Sequence, residues 1–252
     1  MHATGRLPPV PTILIRRHAP ASGIWPVERL HGSNLTKVTL RPNSLLESEL
    51  RCCGFDVVAG VDEAGRGALA GPVIAAAVVL DMNNVPDGLN DSKKLTAKRR
   101  EFLDRAIRAS STVSVGTASE EEIDGLNILN AAMLAMRRAV EQLCRHPDHL
   151  LIDGDRIPAG LPCPARPVVS GDAISVSIAA ASIVAKVARD RHMGELDRLH
   201  PEYGWMANCG YGTRKHIETL FHLGPTPLHR RSFRPVREAL EARRAQEIRE
   251  DA

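Results

Sequence analysis

Val57-Val58-Ala59-Gly60-Val61-Asp62-Glu63-Ala64-Gly65-Arg66-Gly67-Ala68-Leu69-Ala70-Gly71-Pro72, running on through residues 73–80, is the stretch whose reading decides the fold. A short apolar run ends in two adjacent carboxylates, a Gly-Arg-Gly turn follows, and a second apolar run begins at once. The pattern predicts a buried strand, a tight turn carrying charge, and a second strand. So short a connection makes an antiparallel hairpin the natural pairing. Two acids at the end of a core strand are costly to bury unless a cation opposes them. A divalent metal is one answer and Arg66 is the simple one. Gly65 and Gly67 permit backbone geometry closed to other residues and let a ligand approach the main chain. Alone, the motif is weak, since many turns hold two acids and two glycines.

Outward from this hairpin, the chain alternates. A short helix precedes it from Ser44. After the polar loop Asn90-Asp91-Ser92-Lys93-Lys94-Leu95, Thr96 is a suitable N-cap for a helix to about Ala109. Residues 112–118 read as a third strand and residues 127–144 as an amphipathic helix with Leu129, Met133, Met136 and Val140 on its apolar side. His149-Leu150-Leu151-Ile152-Asp153-Gly154 repeats the opening logic of an apolar strand closed by a carboxylate and a glycine. Residues 166–170 form a fifth strand before Gly171-Asp172, and residues 174–199 a long helix whose Ala179-Ala180-Ala181-Ser182 suits close packing on a sheet. Helices and loops complete the chain, the last a charged helix from about Pro235. The order predicts an α/β fold with an antiparallel first half and a parallel continuation. No G-x-x-x-x-G-K-[ST] or G-x-G-x-x-G is present, which argues against a nucleotide-binding fold.

Composition bounds the partners. The 252 residues suit one large domain, and with aromatics at 3% its core must be built from Ala, Val, Leu and Ile. No apolar run is long enough to span a membrane. The net charge of +3 is uneven: residues 1–41 carry six Lys or Arg against Glu28 alone, and the remainder holds 27 bases against 29 acids. A nucleic-acid partner must therefore be argued from local clusters and not from a whole-molecule field. Five cysteines without a C-x-x-C pair or a secretory signal fit reduced thiols in the cytoplasm, and zinc does not suit this spacing. Residues 1–42, with Pro8, Pro9, Pro11, Pro20 and Pro26, read as a disordered extension.

Asp62, Glu63, Asp153 and Asp172 each sit at or just past a predicted strand end. If those ends are neighbours, four carboxylates converge, and they repel unless cations neutralise them. Oxygen-only ligands point to Mg²⁺ or Mn²⁺. Two such ions about 4 Å apart suit phosphodiester hydrolysis. Adjacent strand residues face opposite ways, so Asp62 and Glu63 share a site only if the strand end is distorted or one of them acts indirectly.

The blocks Val61-Asp62-Glu63-Ala64-Gly65-Arg66-Gly67, Asn90-Asp91-Ser92-Lys93-Lys94-Leu95, Leu126-Asn127-Ile128-Leu129, Ile152-Asp153-Gly154 and Gly171-Asp172 are followed by residues 180–187, Gly210-Tyr211-Gly212-Thr213 and His229-Arg230-Arg231-Ser232-Phe233. In this order, across roughly residues 43–240, they resemble the bacterial ribonuclease HII family of type 2 ribonucleases H. The resemblance implies a ribonuclease-H-like five-stranded mixed sheet flanked by helices, with residues 43–200 as catalytic domain and residues 201–252 as a helical part completing the substrate channel. It implies endonucleolytic cleavage of RNA in RNA–DNA hybrids and incision 5′ of single ribonucleotides in duplex DNA, leaving a 3′-hydroxyl and a 5′-phosphate, as in ribonucleotide excision repair. Asp62, Glu63, Asp153 and Asp172 fall on its metal-binding catalytic positions, with Mn²⁺ or Mg²⁺ as cofactor. Gly65, Arg66 and Gly67 match the turn that reads the ribose 2′-hydroxyl, and Tyr211 matches the tyrosine that stacks on the junction sugar. Lys93 and Lys94 read alone as a solvated face, and the resemblance turns Lys93 toward substrate.

Departures are Ser170, where the family commonly has lysine, and Asn208-Cys209, where it commonly has His-Lys. Two cations near the channel are thereby missing, which bears on affinity more than on chemistry. Arg230 and Arg231 divide evenly between solvated loop and backbone contacts. Asp155 and Asp190 read as structural or solvated, His216, His222 and His229 as surface or packing residues, and Tyr203 and Trp205 as a small C-terminal core. A monomer without membrane contact is expected. The competing readings are a type HIII relative, for which the N-terminal tail is too short to be a folded substrate-binding domain, and a non-catalytic hybrid-binding protein, against which all four acids speak.

Overall fold

The structure, a computed structural model, describes residues 41–250. The extension expected over residues 1–42 lies outside them except for its last two positions. The opening hairpin forms as its sequence requires: β1 (Val58–Ala64) and β2 (Val73–Val79) are antiparallel, in register from Gly60 opposite Val78 to Ala64 opposite Ile74. On its far side β2 pairs antiparallel with β3 (Thr112–Ala118). On the other edge of β1, β4 (His149–Asp153) and then β5 (Ala165–Val168) run parallel to it. The result is a five-stranded mixed sheet ordered β3-β2-β1-β4-β5, antiparallel first and parallel after.

Around the strands lie α1 (Leu45–Cys52) before β1, α2 (Ala97–Ser110) between β2 and β3, α3 (Glu120–Leu126) and α4 (Ile128–Glu141) between β3 and β4, and α5 (Val176–Leu199) after β5. The two-residue alternation of the strands sorts them into layers. Ala59 and Val61 of β1 with Ala75 and Ala77 of β2 pack under Ala132, Ala135, Met136 and Ala139 of α4. From the opposite face Ala76 and Val78 meet Leu103 and Ile107 of α2 and the small residues 179–181 of α5. Gly60 is what lets α5 settle on the sheet: a Cβ there would overlap the backbone of Ser177 and Ile178. The interior is built of Ala, Val, Leu and Ile, as the scarcity of aromatics demands.

After α5 come α6 (Trp205–Asn208), α7 (Arg214–Leu223) and α8 (Arg234–Glu250). Tyr203 and Trp205 form the expected small core, stacked with ring centroids 5.3 Å apart and closed by Ala70, Met193 and Leu196. His216 and His229 are buried beside them. Among the described residues no helix is long and apolar enough to cross a membrane.

Several boundaries differ from the expectation. Residues 120–126, to which the sequence reading assigns no element, form α3: Ser119 and Glu122 make a reciprocal capping box, and three consecutive acids sit at the favourable end of the helix dipole. Asn127 at φ 67° separates α3 from α4, while its side chain caps α4 by accepting from the Leu129 and Asn130 amides. α4 ends at Glu141, short of Cys144. β5 stops at Val168, and Ser170 adopts a left-handed conformation at φ 56°. The long helix starts only at Val176, capped by Ser175, because Gly171–Ala173 form a separate 3₁₀ turn.

Candidate active site

Asp62 and Glu63 are not at a distorted strand end. They lie within a regular ladder, opposite Ala76 and Ala75, and the pairing continues to Ala64. Both nevertheless border one cleft of about 640 Å³, together with Asp153, Arg66, Lys93 and Tyr211. The sheet itself supplies the reason. On the other edge of β1 the parallel pairing ends at Val61 opposite Ile152, and β4 finishes one residue later at Asp153. Beyond that point β1 has a neighbour only on its β2 side, so side chains from both faces border the same open space.

Asp153 follows Ile152 as Asp62 follows Val61, which places these two acids side by side at the carboxyl end of adjacent parallel strands. An oxygen of Asp153 accepts the Gly171 amide at 2.7 Å and so ties β4 to the turn that carries Asp172. Asp172 does not line the cleft; it joins the group through Lys93, whose Nζ stands 3.9 Å from its Oδ2. Lys93 is placed by Asp91, which accepts its amide at 2.9 Å. Arg66, the simple counter-charge, does pair with Glu63, Nη1 to Oε1 at 3.1 Å.

The charges are strained against one another. Burial raises the Asp62 carboxyl well above the usual range, and the charges of Glu63 and Asp153 add to it against the Ser182 hydroxyl. Burial also raises Glu63, with Arg66 opposing. Asp172 is raised by burial and by Asp91 and Asp153, with Lys93 pulling back. Burial works to lower the Lys93 ammonium, yet Asp172, Asp62, Asp91 and Asp153 outweigh it and hold it up.

As the side chains stand, no three His, Cys, Asp or Glu among the described residues are arranged to hold a metal ion. Each acid is occupied by an internal donor or cation: the Glu63 amide for Asp62, Arg66 for Glu63, the Gly171 amide for Asp153 and Lys93 for Asp172. The donor set still fits a hard divalent ion. It offers only carboxylate oxygens, Asp62, Glu63 and Asp153 share one cleft, and their mutual repulsion is what such a cation relieves.

Tyr211, which also lines the cleft, is 39% exposed. A Cβ built on Gly67 would stand 3.7 Å from it, an ordinary contact. Lys186 Nζ and Arg189 Cζ lie 6.0 and 5.6 Å from the ring centroid. The second departure from the family pattern is visible here. Asn208 bridges the Tyr203 carbonyl and the Gly210 amide, and Cys209 takes a left-handed φ of 49°.

Sequence reasoning missed Ser182, Lys186 and the reach of Arg189 and Arg230. Ser182 lies beside Asp62, and its hydroxyl meets that of Ser92 at 2.9 Å, fastening the Lys93 turn to α5. A signal existed: Ser175, Ser182 and Arg189 recur every seven residues, a polar stripe along an otherwise small and apolar helix face, and all three are buried. Arg230 is neither a solvated loop residue nor free to contact a substrate backbone: it is fully buried and donates to carbonyls of this chain, while the Arg231 and Ser232 amides donate to Asp124. Asp190 pairs with Arg100 and Lys186.

The chain is similar to known proteins over most of its length. The family model described as Ribonuclease HII matches residues 59–236. A ribonuclease HII of Ruegeria pomeroyi is 59% identical over 200 residues, covering 79% of this chain and 86% of that protein. One of Magnetococcus marinus is 60% identical over 200 residues, covering 76% and 94%. Among solved structures, the ribonuclease H2 of Pyrococcus horikoshii superposes with a TM-score of 0.64 at 30% identity, covering 75% of this chain and 99% of that one.

Proposed function

Since the chain belongs to the ribonuclease HII family and is thus a nuclease that hydrolyses RNA in RNA–DNA hybrids, we propose that it also incises duplex DNA 5′ of single ribonucleotides, using Asp62, Glu63, Asp153 and Asp172. The observation that carries the reading is the convergence of Asp62, Glu63 and Asp153 on one cleft that Gly67 and Tyr211 also line. Residues 43–200 then form the catalytic part, and residues 201–252 complete the channel.

Asp62, Glu63 and Asp153, with Asp172 joining across Lys93, would hold Mg²⁺ or Mn²⁺. Such ions, when bound, activate water and stabilise the leaving oxygen in phosphodiester hydrolysis. The chain's own residues do the rest. Ser182 and the Glu63 amide orient Asp62. Lys93, at the mouth, offers its ammonium to a substrate phosphate. The Gly65–Gly67 turn and the face of Tyr211 bracket the sugar, where the 2′-hydroxyl separates RNA from DNA. Incubating the chain with Mg²⁺ or Mn²⁺ and a duplex holding one ribonucleotide should yield a nick on its 5′ side with a 3′-hydroxyl. A duplex left intact beside an active control would overturn the reading.

The two glycines of the turn separate binding from folding. Gly65 has φ +99°, and a Cβ there would overlap the Arg189 guanidinium. Gly65→Ala is therefore expected to lose about 1–2 kcal/mol or more of stability. Gly67 has neither constraint, so Gly67→Ala should melt within about 0.5 kcal/mol of the parent while its methyl intrudes between turn and Tyr211 and weakens cleavage. Urea unfolding beside initial rates checks both; a Gly67→Ala chain with parental activity removes the turn from substrate contact.

A further inference from the structure

Arg189 and Arg230 are the two largest charged side chains in the interior, both 0% exposed. Neither pairs with a carboxylate among the described residues. Instead every donor group reaches a backbone carbonyl. Arg230 donates from Nε to Gly71 at 2.8 Å, from Nη1 to Arg66 at 3.1 Å and from Nη2 to Pro72 at 3.1 Å. Arg189 donates from Nε to Pro72 at 3.1 Å, from Nη1 to Cys209 at 2.8 Å and from Nη2 to Ala70 at 3.1 Å. Burying a guanidinium without a directly paired counter-ion is expensive; Glu120 and Asp124 favour the Arg230 charge from a distance, yet burial and the neighbouring Arg189 charge outweigh them and lower it to about 9. A core wanting only stability would fill this space with apolar side chains.

The arrangement has a geometric consequence. Peptide bonds here are trans, so a carbonyl and the following N–H point in opposite directions. Arg230 draws the Arg66 carbonyl inward, which turns the Gly67 N–H away from the core on the side where Gly67 borders the cleft. Among the described residues that amide donates to nothing. Arg189 meanwhile lies under Gly65 and holds the Cys209 carbonyl two residues before Tyr211, with its guanidinium 5.6 Å from the Tyr211 ring. The same turn is laced to the C-terminal part by Leu69 donating to Gly210 and Arg230 donating to Leu69 through their amides.

We propose that Arg189 and Arg230 are positioning residues that fix the spacing between the Gly65–Gly67 turn and Tyr211 and present the Gly67 N–H as a free donor to the ribose 2′-hydroxyl. The proposal rests on the reading of that turn and Tyr211 as the sugar-binding walls. Lysine keeps the charge but cannot hold three carbonyls in one plane, so Arg230→Lys and Arg189→Lys separate positioning from attraction to the duplex.

In an Asp62→Asn background with Mg²⁺, affinity is measured for a duplex with one ribonucleotide and for the same duplex in DNA alone. The parent should prefer the former. Each lysine variant should lose about tenfold of that preference, since small misplacements are costly, with all-DNA affinity unchanged. Hydrogen exchange of the Gly67 amide in the unsubstituted chain is the second measurement. It should exchange freely alone and become protected with the ribonucleotide duplex. Preference retained in both lysine variants, or a Gly67 amide already protected in the free chain, overturns the proposal. If the parent shows no preference, the sugar-binding reading is what falls, and free exchange at Gly67 still decides the clamp. The same exchange experiment decides if a lysine variant does not fold.

Discussion

Asp62→Asn is expected to reduce nicking of a ribonucleotide-containing duplex by about 10³-fold or more, the scale of losing an electrostatic group that acts in the transition state, while the duplex is still bound. The same substitution should make the metal-free chain more stable. Asp62 is buried, and its carboxyl is raised well above the usual range by that burial and by Glu63 and Asp153. Between the ordinary carboxyl pKa and the raised one, the folded chain keeps a proton that the unfolded chain has released. Stability therefore falls as pH rises through that window, and the amide removes the slope. Added Mn²⁺ or Mg²⁺ reverses the ranking, since an ion held only by the native chain stabilises it by mass action. Melting curves with and without metal should show a larger rise for the parent than for Asp62→Asn. Equal shifts, or full nicking by the variant, would remove Asp62 from the metal site.

The parts of this site that were legible in sequence are those where local chemistry and strand periodicity agree. An apolar run closing on Asp62-Glu63, and another closing on Asp153, can only be buried strands with charge at one end, and the sheet puts those ends side by side. Thr96 caps α2 as its hydroxyl predicts, accepting the Arg99 amide at 3.2 Å. What was not legible depends on distance across the chain. That Asp62 and Glu63 share a cleft without any bulge follows from where β4 stops, ninety residues away. Arg230 follows Leu69 in space and not in sequence, so its role could not be read from a basic pair in a polar loop. α3 was missed for a different reason: three consecutive glutamates resemble a solvated connection until Ser119 and Glu122 are seen to cap each other. The family resemblance supplied roles for Gly65, Arg66, Gly67 and Tyr211; geometry adds why Tyr211 stands where it does.

The second large effect lies in the sheet beneath the acids. Gly60 is two residues before Asp62 on β1, and a Cβ there would run into the carbonyl carbon and oxygen of Ser177 and the amide of Ile178. These are backbone atoms in the first turn of α5, so no rotamer change relieves the overlap. The helix must lift, and the small residues 179–181 that fill the interface would lose contact with β1 and β2. Gly60→Ala is expected to cost about 3 kcal/mol, the upper part of the range for overpacking, or about 6–12 °C in melting midpoint for a domain of this size. Gly116→Ala is the control, because its Cβ would overlap Ala135 and Ala139 backbone of α4 on the other face. Both variants should melt early, yet only Gly60→Ala lifts the helix that carries Ser182 beside Asp62. Below its melting transition, Gly116→Ala should cleave at the parental rate and Gly60→Ala more slowly, as titration of folded fraction against initial rate will show. If both lose stability but keep parental rates, α5 supports the sheet without setting the geometry of Asp62.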